Sequence, residues 1–116
     1  MSGFLPRGRH LLADLHGVAP DRLTDPAAIE TLLRAAAAAG GSTPAGGHFH
    51  PFGPGLGVTG VLLLKESHIS IHTWPEHGFA AVDVFMCGDA RPERAVEVIQ
   101  AALAAASVSL REVARG

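Results

Sequence analysis

Residues 62–88 read LLLKESHISIHTWPEHGFAAVDVFMCG. The first of them close a continuous apolar run that begins at Val58. Residues 68–74 then alternate strictly between two faces, "PEHG" (75–78) supplies a turn, and "FAAVDVFMC" (79–87) is apolar again. Connections this short predict antiparallel pairing of 58–65, 68–74 and 79–86. The same stretch carries Glu66, Ser67, His68, His72 and the chain's only cysteine, Cys87. A sheet core therefore holds a concentration of reactive groups.

Working outward, "GRHLLADLHGV" (8–18) has the apolar content and closing glycine of a first strand. "TDPAAIETLLRAAAAAGG" (24–41) predicts a helix capped by Thr24 or Asp25, with Pro26 in its first turn and Gly40-Gly41 at its end. Ile29, Leu32, Leu33 and Ala36 share one face of it and should cover a sheet. The Gly- and Pro-dense "STPAGGHFHPFGPGLG" (42–57) reads as a short irregular strand followed by a loop, and "VTGVLLLK" (58–65) as a buried strand. "DARPERAVEVIQAALAAA" (89–106) predicts a second helix, with Asp89 near its start and Ala95, Val98, Ile99 and Ala102 as the inner stripe. "SVSLREV" (107–113) closes the chain as an edge strand. This order predicts an α+β two-layer sandwich: a mainly antiparallel sheet with two helices on one face. Apolar residues of both parities in the central strands predict that the other face meets a partner, in an oligomer.

The 116 residues fit one domain, 1–116, and 47 % hydrophobic against 17 % charged residues is the composition of a folded chain. The nine Lys and Arg residues are scattered and the formal net charge is −2, which argues against nucleic acid as a partner. The longest uncharged stretch is broken by glycine and proline, so no membrane span is expected. The start, "MSGFLPRGRHLLADLHG", has no secretory-signal pattern, and a cytoplasmic location is the expectation. With one cysteine no intrachain disulfide is expected.

Alternation places His68, Ser70, His72 and Trp74 on one strand face, and Asp83, Phe85 and Cys87 on one face of the next. Three readings compete. In the first, the histidines are hydrogen-bonded sheet residues and Cys87 fills the core. In the second, His48, His50, His68, His72 and Cys87 supply metal ligands. Four residues of strand, however, separate His68 from His72 by roughly 13 Å, too far for one ion. The third is nucleophilic chemistry with Ser67 activated by a base such as His72. Five residues apart, the two fall on opposite faces of a regular strand, so this reading requires Ser67 to stand in the turn, outside the pleat. No Gly-x-Ser-x-Gly elbow is present.

"KESHISIHTWPEHGFAAVDVFMCG" closely resembles the core of the prokaryotic S-adenosylmethionine decarboxylase proenzymes, which are pyruvoyl-dependent and self-cleaving. The likeness extends to "GRHLLAD", "FHPF" and "GVTG" and covers nearly the whole chain. It implies that Ser67 attacks the carbonyl of Glu66, and that the resulting ester eliminates to give an upstream chain, 1–66, and a downstream chain, 67–116. The downstream chain would begin with a pyruvoyl group derived from Ser67, which forms a Schiff base with the substrate amine and accepts the electrons released with carbon dioxide. The resemblance further implies His72 as processing base, Thr59 as processing helper, Cys87 as proton donor, and Glu76 and Phe52 as substrate-binding residues, with no metal. It implies a homodimer whose site is touched by both protomers, and a product used in spermidine biosynthesis. The sequence departs from the family's usual pattern at Thr59, at Met86, at His77-Gly78-Phe79 and in the Gly-rich "FGPGLG". The last three are expected to line the substrate pocket. Decarboxylation of arginine or ornithine on the same scaffold, or an unprocessed non-catalytic relative, are the alternatives.

Overall fold

The computed structural model describes residues 6–116. Six strands, β1 (Gly8–His16), β2 (Pro44–Pro51), β3 (Val58–Leu64), β4 (Ser67–Trp74), β5 (Phe79–Cys87) and β6 (Ser107–Arg115), form one antiparallel sheet in the order β2-β3-β4-β5-β1-β6. Two helices, α1 (Pro26–Ala39) and α2 (Pro92–Leu103), pack on one face of it. This is the α+β two-layer architecture expected from the sequence.

The helices begin where backbone chemistry allows. Asp25 caps α1 by accepting from the Ala27 N–H at 3.0 Å, and Pro26 fills the first turn, where no intrahelical donor is needed. α1 buries Ile29, Leu33, Ala36 and Ala37, close to the expected stripe. α2 differs. Its N-cap position is Arg91, two residues after Asp89, and it buries Ala95, Val96, Ile99 and Leu103, while Ala102 is exposed and Val98 half-buried. Val96 and Leu103 take the inner positions expected for Val98 and Ala102, rotating the buried stripe.

The core lies between the helices and the sheet face carrying Leu11, Ala13, Leu15, Leu62, Leu64, Ile69, Ile71, Ala80, Val82, Val84 and Met86. Thr73 is the buried polar residue among them. Its hydroxyl accepts from the Val58 N–H at 2.8 Å and donates to the Leu23 carbonyl at 2.7 Å, tying β3 and β4 to the segment before α1.

β3 was expected to be buried throughout. Instead it alternates, with Leu62 fully buried and Leu63 53 % exposed. Helices cover one face only, and Leu12, Leu63, Trp74 and Val113 leave apolar surface on the open face. The irregular strand expected before the 52–57 loop is the edge strand β2, eight residues long, whose register shifts between Pro44 and Gly46. Phe49 of β2 lays its ring over Gly60 of β3, where a side chain would collide with the ring. No described helix is long and apolar enough to cross a membrane.

Candidate active site

β3 and β4 are joined by Lys65 and Glu66 alone. Glu66 sits at φ 62°, in the left-handed region that costs a non-glycine residue about 1 kcal/mol or more. The peptide bond between Glu66 and Ser67 therefore leaves a strained residue and enters a strand. Ser67 is the first residue of β4 and pairs with Leu64. The requirement that Ser67 lie outside the pleat carrying His72 is not met: the ladder is regular from Leu64↔Ser67 to Thr59↔His72. A two-residue connection lets pairing resume at once, so Ser67 joins the strand. Ser67 and His72 then point to opposite faces and stand roughly 16 Å apart along it.

Cys87 meets the Glu66–Ser67 peptide directly. The thiol, 8 % exposed, donates to the Glu66 carbonyl oxygen at 3.5 Å. Ser67 and Cys87 also share a cavity of about 280 Å³, lined with them by Lys65, Thr43, Ser42 and Asp89. Its walls are tied together by backbone bonds, Arg91 N–H to the Gly40 carbonyl at 2.8 Å and Lys65 N–H to the Thr43 carbonyl at 3.0 Å. The loop after α1, the loop before α2 and the β3-β4 turn thus meet around the reactive pair. A strained peptide, a hydroxyl, a thiol and an adjoining cavity fit a pyruvoyl group made from Ser67.

Other candidates lie elsewhere. Thr59 and His72 are directly opposed across β3 and β4 on the open face, with Oγ1 and Nδ1 3.2 Å apart. Next along this row is His50 of β2, paired with Thr59, and its ring meets Phe52 edge-on at 4.9 Å. Phe52 is 58 % exposed. Glu76 is exposed in the short helical turn Pro75–His77, at the end of β4 remote from Ser67. Among the positions expected to line a pocket, Met86 is 1 % exposed and lies against Gly40 on the helix side, so it does not face the open sheet surface. His77 and Phe79 border a shallow hollow with His16 and Trp74, at the far end of the sheet. One chain thus divides the expected residues into a group at the expected cleavage bond, Glu66, Ser67 and Cys87, and an open-face group around His72.

A further cluster was only partly visible in the sequence. Asp83 Oδ2 accepts from His10 Nε2 at 2.6 Å and His68 Nε2 at 2.7 Å, and its Oδ1 accepts from the Ser70 hydroxyl. Arg115 donates to His10 Nδ1 at 3.4 Å, which leaves the ring's proton on Nε2 for Asp83. Burial alone would raise the Asp83 carboxyl, but the bonds from Ser70, His10 and His68 together outweigh it and hold its pKa below the ordinary value. These ring nitrogens and the carboxylate oxygen lie within 4.8 Å of one another, a spacing that suits a metal ion. They already form a closed hydrogen-bonded set. Alternation gave His68 and Asp83 each a face of its own strand, but only the strand pairing brings them together on the open face and adds His10.

Comparison with known proteins identifies the family. The family model described as S-adenosylmethionine decarboxylase matches residues 9–116. Relatives named S-adenosylmethionine decarboxylase proenzyme include one from Hydrogenobaculum sp., 47 % identical over 94 % of this chain and 81 % of its own length. Another, from Parasynechococcus marenigrum, is 48 % identical over 93 % and 84 %. One from Persephonella marina is 53 % identical over 70 % of this chain, the match spanning 60 % of that relative. The crystal structure of the adenosylmethionine decarboxylase from Aquifex aeolicus superposes with a TM-score of 0.87 at 43 % identity, covering 94 % of this chain and 90 % of that one. With the match running from the first residues of β1 to the end of the chain, and a solved member sharing the fold, this chain belongs to the S-adenosylmethionine decarboxylase family.

Proposed function

We propose that this protein is a self-processing decarboxylase of S-adenosylmethionine that cuts its own Glu66–Ser67 bond. The observation that carries the proposal is the approach of the Cys87 thiol to the Glu66 carbonyl, 3.5 Å away, beside Ser67 and an adjoining cavity. In the processing step the Ser67 hydroxyl oxygen attacks the Glu66 carbonyl carbon and the peptide C–N bond breaks, giving an ester and a free amine. Loss of the Ser67 Cα proton then breaks the Cβ–O bond and releases Glu66 as a carboxylate. Water replaces the nitrogen, ammonia leaves, and a carbonyl remains where the Cα was. The strained Glu66 backbone favours this opening, because the left-handed residue is freed from its turn when the bond is cut.

The new carbonyl supplies the electron sink that no standard side chain offers. The cavity beside it is bounded by Lys65 and Asp89 and by Cys87. Cys87, at this end of β5, is placed to give the thiol proton to the substrate carbon after carbon dioxide departs. A positioned acid of this kind is typically worth about 10²- to 10⁴-fold.

His72 and Thr59 cannot serve the Ser67 of their own chain, given the opposite faces and the roughly 16 Å between them. They serve the Glu66–Ser67 bond of a second copy, in a homodimer that covers the apolar open face. Phe52 and Glu76, both exposed, would likewise reach a substrate at the partner's cleavage group. The alternative of arginine or ornithine as substrate is favoured by none of these contacts, and the relatives named above carry the S-adenosylmethionine name. Release of carbon dioxide from carboxyl-labelled S-adenosylmethionine, arginine and ornithine, assayed side by side, tests this. Release from the first alone is expected; release from either amino acid alone would reassign the substrate.

A further inference from the structure

The Asp83 cluster lies outside the chemistry described above. Its carboxylate accepts from side chains on two neighbouring strands, His10 on β1 and both His68 and Ser70 on β4. His68 immediately follows the cleavage residue and stands directly opposite Phe85 of β5, with ring centroids 6.0 Å apart. Asp83 shares its face of β5 with Phe85 and Cys87.

We propose that Asp83, acting through His68, is a positioning residue that clamps the cut start of the downstream chain in register with Cys87. The inference rests on self-cleavage at Ser67. In the uncut chain Ser67 is held on both sides, by the turn to β3 and by β4 itself. Cutting removes the first restraint. It also removes the backbone N–H of residue 67, so that residue can no longer donate to the sheet ladder, and new chain ends fray unless tied down. His68 then carries the first side chain that anchors the downstream chain. Its bond to Asp83 fixes it to the strand whose end bears the thiol. His10 and Ser70 occupy further acceptor sites of Asp83 and hold the carboxylate still, and Phe85 packs against both imidazoles. A displacement of the reacting carbon from the acid by an ångström or so is enough to cost about 10²-fold in rate.

The test compares Asp83→Asn in the cleavable protein with Asp83→Asn combined with the uncleavable Ser67→Ala. The amide keeps the size of the carboxylate but removes its charge and turns one acceptor into a donor. Expected is cleavage to the same extent as in the unsubstituted protein, with kcat lowered about 10- to 100-fold and KM changed far less. Hydrogen exchange at the amides of residues 68–70 should quicken in the cleaved variant and change little in the uncleavable one. Unchanged kcat, or equal quickening in both backgrounds, would overturn the clamp. If Asp83→Asn does not fold, His68→Ala leaves His10 and Ser70 on Asp83 and must show the same split. Absence of cleavage in the unsubstituted protein overturns self-processing and the clamp together. Normal cleavage with normal variant turnover overturns the clamp alone.

Discussion

Cys87 shows how much one residue's surroundings decide. Alone and 8 % exposed, it fits a small core residue as well as an acid; its distance from the Glu66 carbonyl separates the two. Cys87→Ala should therefore fold and cost turnover about 10²- to 10⁴-fold, a loss far beyond its effect on stability. Circular dichroism beside steady-state kinetics checks this, and turnover near the unsubstituted rate would remove Cys87 as the proton donor. Ser67 and Cys87 were legible in sequence because the resemblance names them. Lys65 and Thr43 were not, because they reach the cavity through a turn and a helix-end loop whose meeting is a tertiary fact. His10 likewise sits 73 residues from Asp83, and nothing short of strand pairing joins them.

At the scale of elements, the hairpin of β3 and β4 carries the site, and Thr73 secures it from behind. Thr73→Val would leave the Val58 N–H and the Leu23 carbonyl without their buried partner, costing about 1–3 kcal/mol. That corresponds to a fall in Tm of roughly 5–15 °C. Differential scanning calorimetry on the cleaved protein should show it with turnover retained at low temperature; an unchanged Tm would contradict the tie. Strict alternation in 68–74 and the Asp25-Pro26 cap made β4 and α1 readable almost to the residue. α2 was read a few residues too early because Asp89 resembles a cap, while Pro92 sets the actual first turn. Ser67 was placed outside the strand to rescue contact with His72, but a two-residue turn leaves no room for that.

For the whole molecule, the helices cover one sheet face and leave the other open. Apolar side chains on the open face and a Thr59–His72 pair turned away from its own Ser67 are the basis of the proposed homodimer. Co-expression of Ser67→Ala and His72→Ala chains, distinguishable by tags, is expected to cleave the His72→Ala chain, which retains Ser67 and borrows the partner's His72. No cleavage in the mixture, with each parent otherwise folded, would contradict service across the dimer. The two parities of apolar residues in β3 to β5 are the ground for expecting a partner, and the structure leaves Leu12, Leu63, Trp74 and Val113 exposed on the open face. The sequence did not foretell the division of the site, because that depends on which face each strand position takes. The central claim is the cut itself, and the intact mass of the purified protein reads it most directly. Two chains, 1–66 and 67–116, the second bearing a terminal carbonyl that reacts with a hydrazide, are predicted; a single uncut chain of 116 residues with no reactive carbonyl would contradict the account.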